Sequence, residues 1–274
     1  MRLPNALSDP SGPMCSMMSS RNSIAVSNSP RDYRLSHLAP GKSESYHRTF
    51  SKNPYRNMIW EFEKEVLNFI HRAYIKDQGF THLDFACGTG RILAYFGGIA
   101  RESVGIDVSS SMLDVARKNL IGVELIEADI TKRDVLGDRK FDLITAFRFF
   151  PNAQAELRES AMRTLVRHLD KNGWLVFNNH RNINSLEYKL ARLRRRGGME
   201  GMSSAEVCDL LTQNGLEIFR EFSLGFTPAN EDHTFIPILL LRKIERVLSK
   251  LAVLKDLAKN KIFLCRRIEI EKCP

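Results

Sequence analysis

A glycine-rich turn at residues 83–91 constrains this chain more than any other feature, because it joins an apolar strand pattern directly to a helical pattern. Gly88 and Gly90 allow the backbone to turn tightly and to approach a ligand without a Cβ clash. The N–H groups that open the following helix can receive an anionic group. The sequence therefore predicts a strand–turn–helix unit that binds a ligand.

Strand and helix patterns alternate on both sides of this turn and beyond it. Strand patterns cover residues 82–86, 104–107, 123–128, 141–147 and 173–177, and helical patterns cover residues 91–100, 110–120 and 153–169. This alternation is typical of a mostly parallel sheet with helices on both faces. Because the crossovers are right-handed, the carboxyl ends of the strands should meet at one edge, where ligands bind.

The chain divides into three parts by composition and periodicity. Residues 1–40 are rich in Ser, Pro, Asn and Met and lack apolar periodicity, as in a disordered tail. Residues 41–76 are predicted to form an N-terminal lid and an amphipathic helix. Residues 77–274 are predicted to form the main domain, with helical insertions at 183–214 and 237–259 and further strands at 216–222 and 261–270.

The bulk composition excludes several classes of protein. No apolar run reaches the roughly 18 residues of a membrane-spanning helix, and the N-terminus has no apolar signal region, so a cytoplasmic protein is expected. The 5 cysteines have no regular spacing, which gives neither a zinc site nor a disulfide framework. The net charge of +9 either favours an anionic partner or simply keeps the protein soluble.

Two acidic residues follow successive strands beside the glycine turn. Asp107 can accept both hydrogens of a ribose diol, and Asp129 can accept from an adenine amino group. Val108, Met112 and Ile130 are candidates for the apolar walls around the ring. Leu93 stands where a dinucleotide turn needs a third small residue, so a pyrophosphate is disfavoured. The pattern indicates a nucleoside pocket whose helix N-terminus receives the carboxylate of an amino-acid-like ligand.

These motifs resemble those of class I S-adenosylmethionine (SAM)-dependent methyltransferases. The turn D-F-A-C-G-T-G at residues 84–90, Asp107 and the triplet at 128–130 are similar to the family's motifs, above all in the ubiquinone- and menaquinone-biosynthesis group. Ala86 stands where many members have the first glycine. The resemblance covers residues 46–267. It implies a Rossmann-like, doubly wound α/β fold of seven strands, mostly parallel with an antiparallel last strand, plus helical cap segments.

The resemblance implies SAM as the cofactor and assigns roles to its ligands. Asp84 would orient the methionine end, Asp107 the ribose and Asp129 the adenine. Tyr46 or Arg56 in the lid would hold the SAM carboxylate, although an ordinary surface connector is an equal alternative. The full set of expected cofactor-binding residues is Asp84, Ala86, Cys87, Gly88, Gly90, Asp107, Val108, Met112, Asp129, Ile130, Phe147, Tyr46 and Arg56.

A hydroxyl acceptor would also need a general base at the same edge of the sheet. His180, which ends the fifth strand pattern, is the first candidate, and His233 is the second. The alternative for His180 is a structural or solvated histidine. No Asp or Glu triplet follows the fourth strand, so no metal is expected.

The exit of the fourth strand, residues 147–152, bears on the acceptor. Phe147, Phe149 and Phe150 either wall the methyl-transfer site or are plain core aromatics. The segment lacks the Pro-Pro-aromatic signature of enzymes that methylate amines of nucleic acids, and it lacks the paired glutamates of protein-arginine methyltransferases. The expected function is therefore methyl transfer, with oxygen as the favoured acceptor atom, to a small-molecule or glycan acceptor. Alternatives are an RNA methyltransferase, a non-catalytic SAM-binding partner protein and, more distantly, a dehydrogenase.

Two basic clusters, at residues 189–196 and 242–255, remain to be placed. The second lies on a helical pattern at 238–259 with a regular apolar side. A cap that packs this side on the core is the favoured interpretation. The alternative is peripheral contact with an anionic membrane, which a lipid-linked or phosphorylated glycan acceptor would accompany. The sequence does not predict the oligomeric state.

Overall fold

The computed structural model describes residues 33–34, 53–76, 79–194, 200–227 and 236–269. Two candidates from the sequence, Tyr46 and His233, lie outside these residues. The same holds for most of the predicted tail and for residues 41–52 of the predicted lid and helix.

A single seven-stranded sheet organises the described chain. Its strands are β1 (Thr81–Phe85), β2 (Glu102–Asp107), β3 (Glu124–Glu127), β4 (Phe141–Ala146), β5 (Leu169–Asn179), β6 (Leu216–Leu224) and β7 (Asn260–Arg267). They lie in the order β3-β2-β1-β4-β5-β7-β6. All neighbours are parallel except at β7, which runs antiparallel to both β5 and β6. The predicted fold class is confirmed.

Seven α-helices of the described residues flank this sheet. They are α1 (Pro54–Ile70), α2 (Arg91–Phe96), α3 (Ser110–Asn119), α4 (Ala155–His168), α5 (Leu186–Leu193), α6 (Ser204–Gln213) and α7 (Ile238–Leu248). Their starts follow local chemistry: the Asn53 side chain caps α1, and Ser203 and Glu206 form a capping box at the start of α6. Within the described ranges, no helix has the length and apolarity that crossing a bilayer requires.

The sheet is covered on both faces because its central strands alternate their side chains between two cores. Leu83, Ile144 and Phe177 belong to a core that includes residues of α4 and α6. Leu143 and Val176 belong to the opposite core, which includes residues of α1, α2 and α7. With both faces occupied, the open edge at the carboxyl ends of the parallel strands remains the place for a ligand.

Gly105 in β2 explains how Leu93 fits after the glycine turn. A Cβ on Gly105 would lie 2.5 Å from Leu93 Cδ1 and 3.0 Å from Cys87 Sγ. In a dinucleotide turn the small residue needed for close packing stands on the helix. Here it stands on the neighbouring strand, so the helix can carry a leucine and still pack closely.

The basic helix near the C-terminus differs from its prediction in length and orientation. It ends at Leu248 rather than continuing to residue 259, and a 3-10 turn at Ala252–Leu257 follows the extended residue Leu251. Leu239, Leu240, Val247 and Leu251 are exposed. The favoured expectation that this side packs on the core thus holds only in part. Leu241 is buried and Ile238 packs against the core, whereas the four residues named above face solvent.

Candidate active site

A cavity of about 550 Å³ opens at the carboxyl ends of β1, β2 and β4. Its volume suits a small molecule or a cofactor. Ten of the residues predicted to bind the cofactor line it: Asp84, Ala86, Cys87, Gly88, Gly90, Asp107, Val108, Met112, Asp129 and Phe147. The sheet edge thus brings together segments that are dispersed along more than 60 residues of sequence.

Asp84 places a buried carboxyl group at the floor of the cavity. Its Oδ1 accepts a hydrogen bond of 2.7 Å from Thr145 Oγ1, while Oδ2 has no hydrogen-bond partner among the described residues. Burial raises the pKa of Asp84 to about 7, although the Thr145 hydrogen bond and the Arg91 charge oppose this shift. A bound cationic group would satisfy Oδ2 and would favour the ionised carboxylate.

His82 completes the chain of hydrogen bonds behind Asp84. Its Nε2 lies 2.8 Å from Thr145 Oγ1, and burial lowers the pKa of His82 to about 3, which keeps the ring neutral. Because the single hydroxyl proton of Thr145 goes to Asp84, the hydroxyl oxygen accepts from Nε2–H. His82 and Thr145 therefore fix the orientation of the Asp84 carboxyl group from below.

Asp107 closes the glycine turn onto β2. Its Oδ2 accepts from the N–H of Gly88 at 2.8 Å, and its Oδ1 accepts from the N–H of Ser109 at 2.9 Å. Burial raises the pKa of Asp107, and the backbone hydrogen bonds oppose that shift. Each oxygen keeps a further lone pair for a ligand hydroxyl. A Cβ on Gly88 would meet no atom within 4 Å, so a ligand can approach the backbone there.

The turn itself holds a strained alanine. Ala86 has a φ of 54°, in the left-handed region that favours glycine. This conformation costs an L-residue about 1–2 kcal/mol, which accounts for glycine being common at this place in the family that the motif resembles. Such strain is tolerated where the surrounding structure requires the turn.

Asp129 lines the cavity next to a short N-terminal segment. Its Oδ1 accepts from the backbone and hydroxyl of Thr131, and its Oδ2 accepts from Arg34 Nη1 at 2.9 Å. Tyr33 packs its ring against Phe149 and donates a hydrogen bond to the Arg148 carbonyl. Tyr33 and Arg34 belong to the stretch that was predicted to be a tail, and both line the cavity.

Arg91 adds a cation at the helical end of the glycine turn. Its guanidinium carbon lies 4.3 Å from the centroid of the Trp60 ring, and its Nη2 lies 3.4 Å from Glu63 Oε2. Arg91 and Trp60 both line the cavity. The indole ring and the carboxylate together orient a guanidinium that a ligand carboxylate could reach.

Glu63 is a fully buried carboxylate at the centre of a polar network. Its Oε1 accepts from Asn260 Nδ2 at 3.0 Å, and Asn260 Oδ1 accepts from Asn178 Nδ2 at 3.1 Å. Asn178 Oδ1 in turn accepts from the backbone N–H of Arg148 at 2.6 Å. The network ties α1 to the ends of β4, β5 and β7, and so to the wall of the cavity.

His180 follows β5 in a cationic environment. Burial lowers its pKa well below 6.5, and the charges of Arg148, Arg181 and Lys259 lower it further. Its Nδ1 is buried and has no hydrogen-bond partner among the described residues. The ring is therefore neutral at neutral pH. His180 is near the cavity residues Arg148 and Arg91 but does not itself belong to the cavity lining.

Three predicted cofactor or wall residues lie outside the cavity lining. Ile130 packs in the core that contains α4 and α6 rather than lining the cavity. Arg56, on the first turn of α1, lies outside the lining as well. Phe149 lines the cavity, whereas Phe150 is a core residue.

Several lining residues were missed by sequence reasoning, chiefly Tyr33, Arg34, Trp60, Arg91 and Arg148. Only Arg91 had a usable signal, since it directly follows the glycine turn. The others reach the cavity through contacts between distant segments. Among the described residues, no group of three or more His, Cys, Asp or Glu is arranged to hold a metal ion.

The sheet order and the strand-end carboxylates define a class I methyltransferase fold. Residues 83–173 match a family model described as a methyltransferase domain. The predicted resemblance to the class I SAM-dependent methyltransferase superfamily is confirmed. Membership of the ubiquinone- and menaquinone-biosynthesis group does not follow from these matches.

One curated relative is similar over part of the chain. The chain is 33% identical over 99 residues to the cypemycin N-terminal methyltransferase of Streptomyces sp, which covers 35% of this chain and 40% of the relative. The chain thus matches about two fifths of the length of this relative.

Solved structures resemble the chain over a longer range. The magnesium protoporphyrin IX methyltransferase of Synechocystis PCC 6803 with bound SAH has a TM-score of 0.60 at 14% identity, covering 85% of this chain and 97% of that one. The N-methyltransferase NodS of Bradyrhizobium japonicum WM9, in complex with S-adenosyl-L-homocysteine (SAH), has a TM-score of 0.52 at 15% identity, covering 85% and 95%. At these identities the likeness establishes the fold.

Proposed function

We propose that this protein is a SAM-dependent methyltransferase that acts on a small-molecule or glycan acceptor, with oxygen as the acceptor atom. The observation that carries the proposal is the buried, unpaired Oδ2 of Asp84 in the same cavity as Asp107 and Asp129. Three carboxylates in one cavity match the amino group, the ribose and the adenine of one cofactor. The position of Arg91 matches the carboxylate of that cofactor.

When bound, SAM supplies a methyl group activated by its sulfonium. The chain's own task is to hold the reacting groups in line and to exclude water. Ionised Asp84 holds the ammonium group through Oδ2, and Asp107 accepts from the ribose through lone pairs that Gly88 and Ser109 leave open. Phe147 and Phe149 cover the cavity near the end of β4.

The acceptor side is cationic, which favours an acceptor that carries a negative charge. Four cations act on His180 where β4 and β5 end: Arg148, Arg181, Lys259 and Arg91. Glu187 pairs with Lys259, and Glu63 is shared by Arg91 and Arg148, so the positive charges outnumber the negative ones. Such charge lowers the pKa of a nearby hydroxyl group and stabilises the developing oxyanion. We assign the hydroxyl proton to His180, because its ring is neutral and its Nδ1 has no hydrogen-bond partner among the described residues, although the same cations make it a weak base.

Transfer to nitrogen is the second candidate function. It is favoured by the curated relative, an N-terminal methyltransferase, and by the fold shared with an N-methyltransferase. The cations around His180 argue against a protonated amine as acceptor, because like charges repel. A nitrogen acceptor would therefore have to arrive neutral or carry a compensating anionic group.

Calorimetric titration of SAM and SAH tests the cofactor site. The wild type should bind both, and Asp107→Ala should weaken binding at least about tenfold, which corresponds to one charge-assisted hydrogen bond. Asp114→Ala is the matched control, because Asp114 is exposed and pairs with Arg117 on the same helix, α3. A folded wild-type protein that binds neither ligand would refute the proposal.

Acceptor screening tests the transfer step. Hydroxyl-bearing and amine-bearing compounds, each with and without a carboxylate, should be incubated with SAM and followed by mass spectrometry. We expect product from anionic hydroxyl compounds, and a His180→Ala variant that retains SAH binding but loses at least about tenfold in turnover. SAM binding without any product would instead indicate a non-catalytic binding protein.

A further inference from the structure

We propose that the outward face of α7 docks on an anionic lipid bilayer. This face, called the α7 face below, consists of Leu239, Leu240, Lys243, Val247, Lys250 and Leu251. The inference is independent of the methyl-transfer reaction, because it concerns a surface that none of the cavity residues shares.

The apolar residues of the α7 face are strongly exposed. Leu239 is 74% exposed, Leu240 50% and Val247 60%. Val253, in the 3-10 turn that follows, is 87% exposed and extends the apolar surface. Single exposed leucines are ordinary, but several along one helical face mark an interaction site.

The helix cannot turn these leucines inward, because its other sides are fixed by polar contacts. Glu245 is buried beneath the helix, where its carboxylate accepts from the backbone N–H groups of Phe226 and Thr227 at 2.9 and 2.8 Å. On the flank, Arg246 and Arg242 both pair with Glu65 of α1. Rotation would expose the contacts of Glu245 and break the flanking pairs, so the outward orientation is a property of the fold.

The charges on this surface select an anionic partner. Lys243 and Lys250 lie among the leucines, and Lys255 lies on the adjoining turn, all three exposed. Asp256, an acid on the same turn as Lys255, bonds to Lys261 at 2.8 Å. Each cation close to an anionic bilayer contributes about 1 kcal/mol to binding, and lysine stems can lie along the apolar surface while the ammonium groups reach the headgroups.

A second copy of the chain fits this face less well than a bilayer does. In a symmetric dimer the same patch meets itself, so the lysines of one α7 face would oppose those of the other. A bilayer accepts leucines into its interfacial region and meets lysines with anionic headgroups, and both features of the face then contribute.

Flotation of the full-length protein with vesicles tests the proposal. Vesicles of phosphatidylcholine alone and of phosphatidylcholine with phosphatidylserine are compared at low and physiological salt. We expect binding only to the anionic vesicles, weaker at higher salt. The double variant Leu239→Gln/Leu240→Gln should bind at least about tenfold less, as should Lys243→Glu/Lys250→Glu.

Matched controls come from the opposite side of the molecule. Ile121, 97% exposed at the far end of the sheet, is replaced in Ile121→Gln, and exposed Lys118 of α3 in Lys118→Glu. Both should bind vesicles as the wild type does, and thermal unfolding checks that all variants fold. A wild-type protein that stays unbound to anionic vesicles at low salt overturns the proposal. The proposal is also overturned if the wild type does not bind vesicles but forms a dimer in analytical ultracentrifugation, and the leucine substitutions dissociate that dimer.

Discussion

Glu63 Oε2 lies 3.4 Å from Arg91 Nη2, although 28 residues and the whole of β1 separate the two in sequence. Glu63 belongs to the helix that precedes the sheet, and Arg91 belongs to the turn that shapes the cavity. The side chain of Glu63 is fully buried, whereas that of Arg91 is 22% exposed. The pair therefore fixes the cavity's cationic corner to the first helix of the fold.

Replacement of Glu63 should destabilise the protein far more than replacement of its neighbour Glu65. Glu63→Gln leaves Arg91 and Arg148 beside a neutral amide, and we expect a loss of about 2–3 kcal/mol in the free energy of unfolding, less than for a fully buried pair because Arg91 is partly exposed. Glu65→Gln, on the exposed side of the same helix, should cost under about 1 kcal/mol. Urea denaturation measures both, and equal losses would contradict a special role for Glu63.

Replacement of Arg91 should weaken the binding of only those ligands that carry an amino-acid end. If its guanidinium holds the ligand carboxylate, Arg91→Met weakens SAH binding by about ten- to hundredfold, the range of a charged hydrogen bond, and changes adenosine binding by less than about twofold. Calorimetry with the two ligands measures the difference, and Arg117→Met serves as an exposed control. An equal loss of adenosine affinity would mean that the substitution disturbs the turn instead.

The affinity for SAH should rise with pH because of Asp84. Burial raises the pKa of this carboxyl group to about 7 in the free protein, and the ligand's ammonium group requires the ionised form. Below pH 7 the ligand must first displace a proton, so affinity is lost as the pH falls and is fully present above the raised pKa. The ionised fraction predicts about a tenfold increase in affinity between pH 6 and pH 8.

The Asp84→Asn variant is the control for this pH dependence. It should bind SAH more weakly at pH 8 and show a flat profile from pH 6 to pH 8. Calorimetry in buffers of different ionisation enthalpy should also detect proton release from the wild type near pH 7. A wild-type profile as flat as that of the variant would show that Asp84 is not the titrating group.

Replacement of Gly105 tests the close packing of α2 on β2. Gly105→Ala places a Cβ 2.5 Å from Leu93 Cδ1, 2.8 Å from Leu125 Cδ2 and 3.0 Å from Cys87 Sγ. We expect a loss of about 1–3 kcal/mol in the free energy of unfolding, as for other overpacked cores. Gly98→Ala is the matched control, since a Cβ there meets no atom within 4 Å. Thermal or urea unfolding of the two variants would reveal the contrast.

The parts of the fold that sequence patterns predicted are those set by local chemistry. Asp107 ends a strand pattern, Asp129 follows one and Asp84 lies within two residues of the end of another, and parallel strands bring such positions to one edge without further information. The start of α6 also depends on local chemistry, because its capping box lies within four residues. Strand order needed the family resemblance, since apolar alternation does not say which strands pair.

The parts that were missed depend on pairings across the chain. Glu63 lies on a helix whose periodicity says nothing of the distant Asn260 that bonds to it. The exposure of several α7 leucines was not predicted, for a similar reason. The many leucines of α7 and its single acid suggest that the leucine side is buried. In the structure Glu245 is buried instead, because it accepts three hydrogen bonds from residues 226–227, and these bonds determine which side of the helix faces the protein.

The buried Glu63 also bears on how such a protein can be divided or recombined. The segment matched as a methyltransferase domain begins at residue 83, yet the carboxylate that balances Arg91 comes from α1, ahead of that boundary. In a chimera that joins this domain to the first helix of another enzyme, the guanidinium group of Arg91 would lack Glu63 as its counter-ion. The first helix and the glycine turn should therefore be exchanged together when such proteins are recombined.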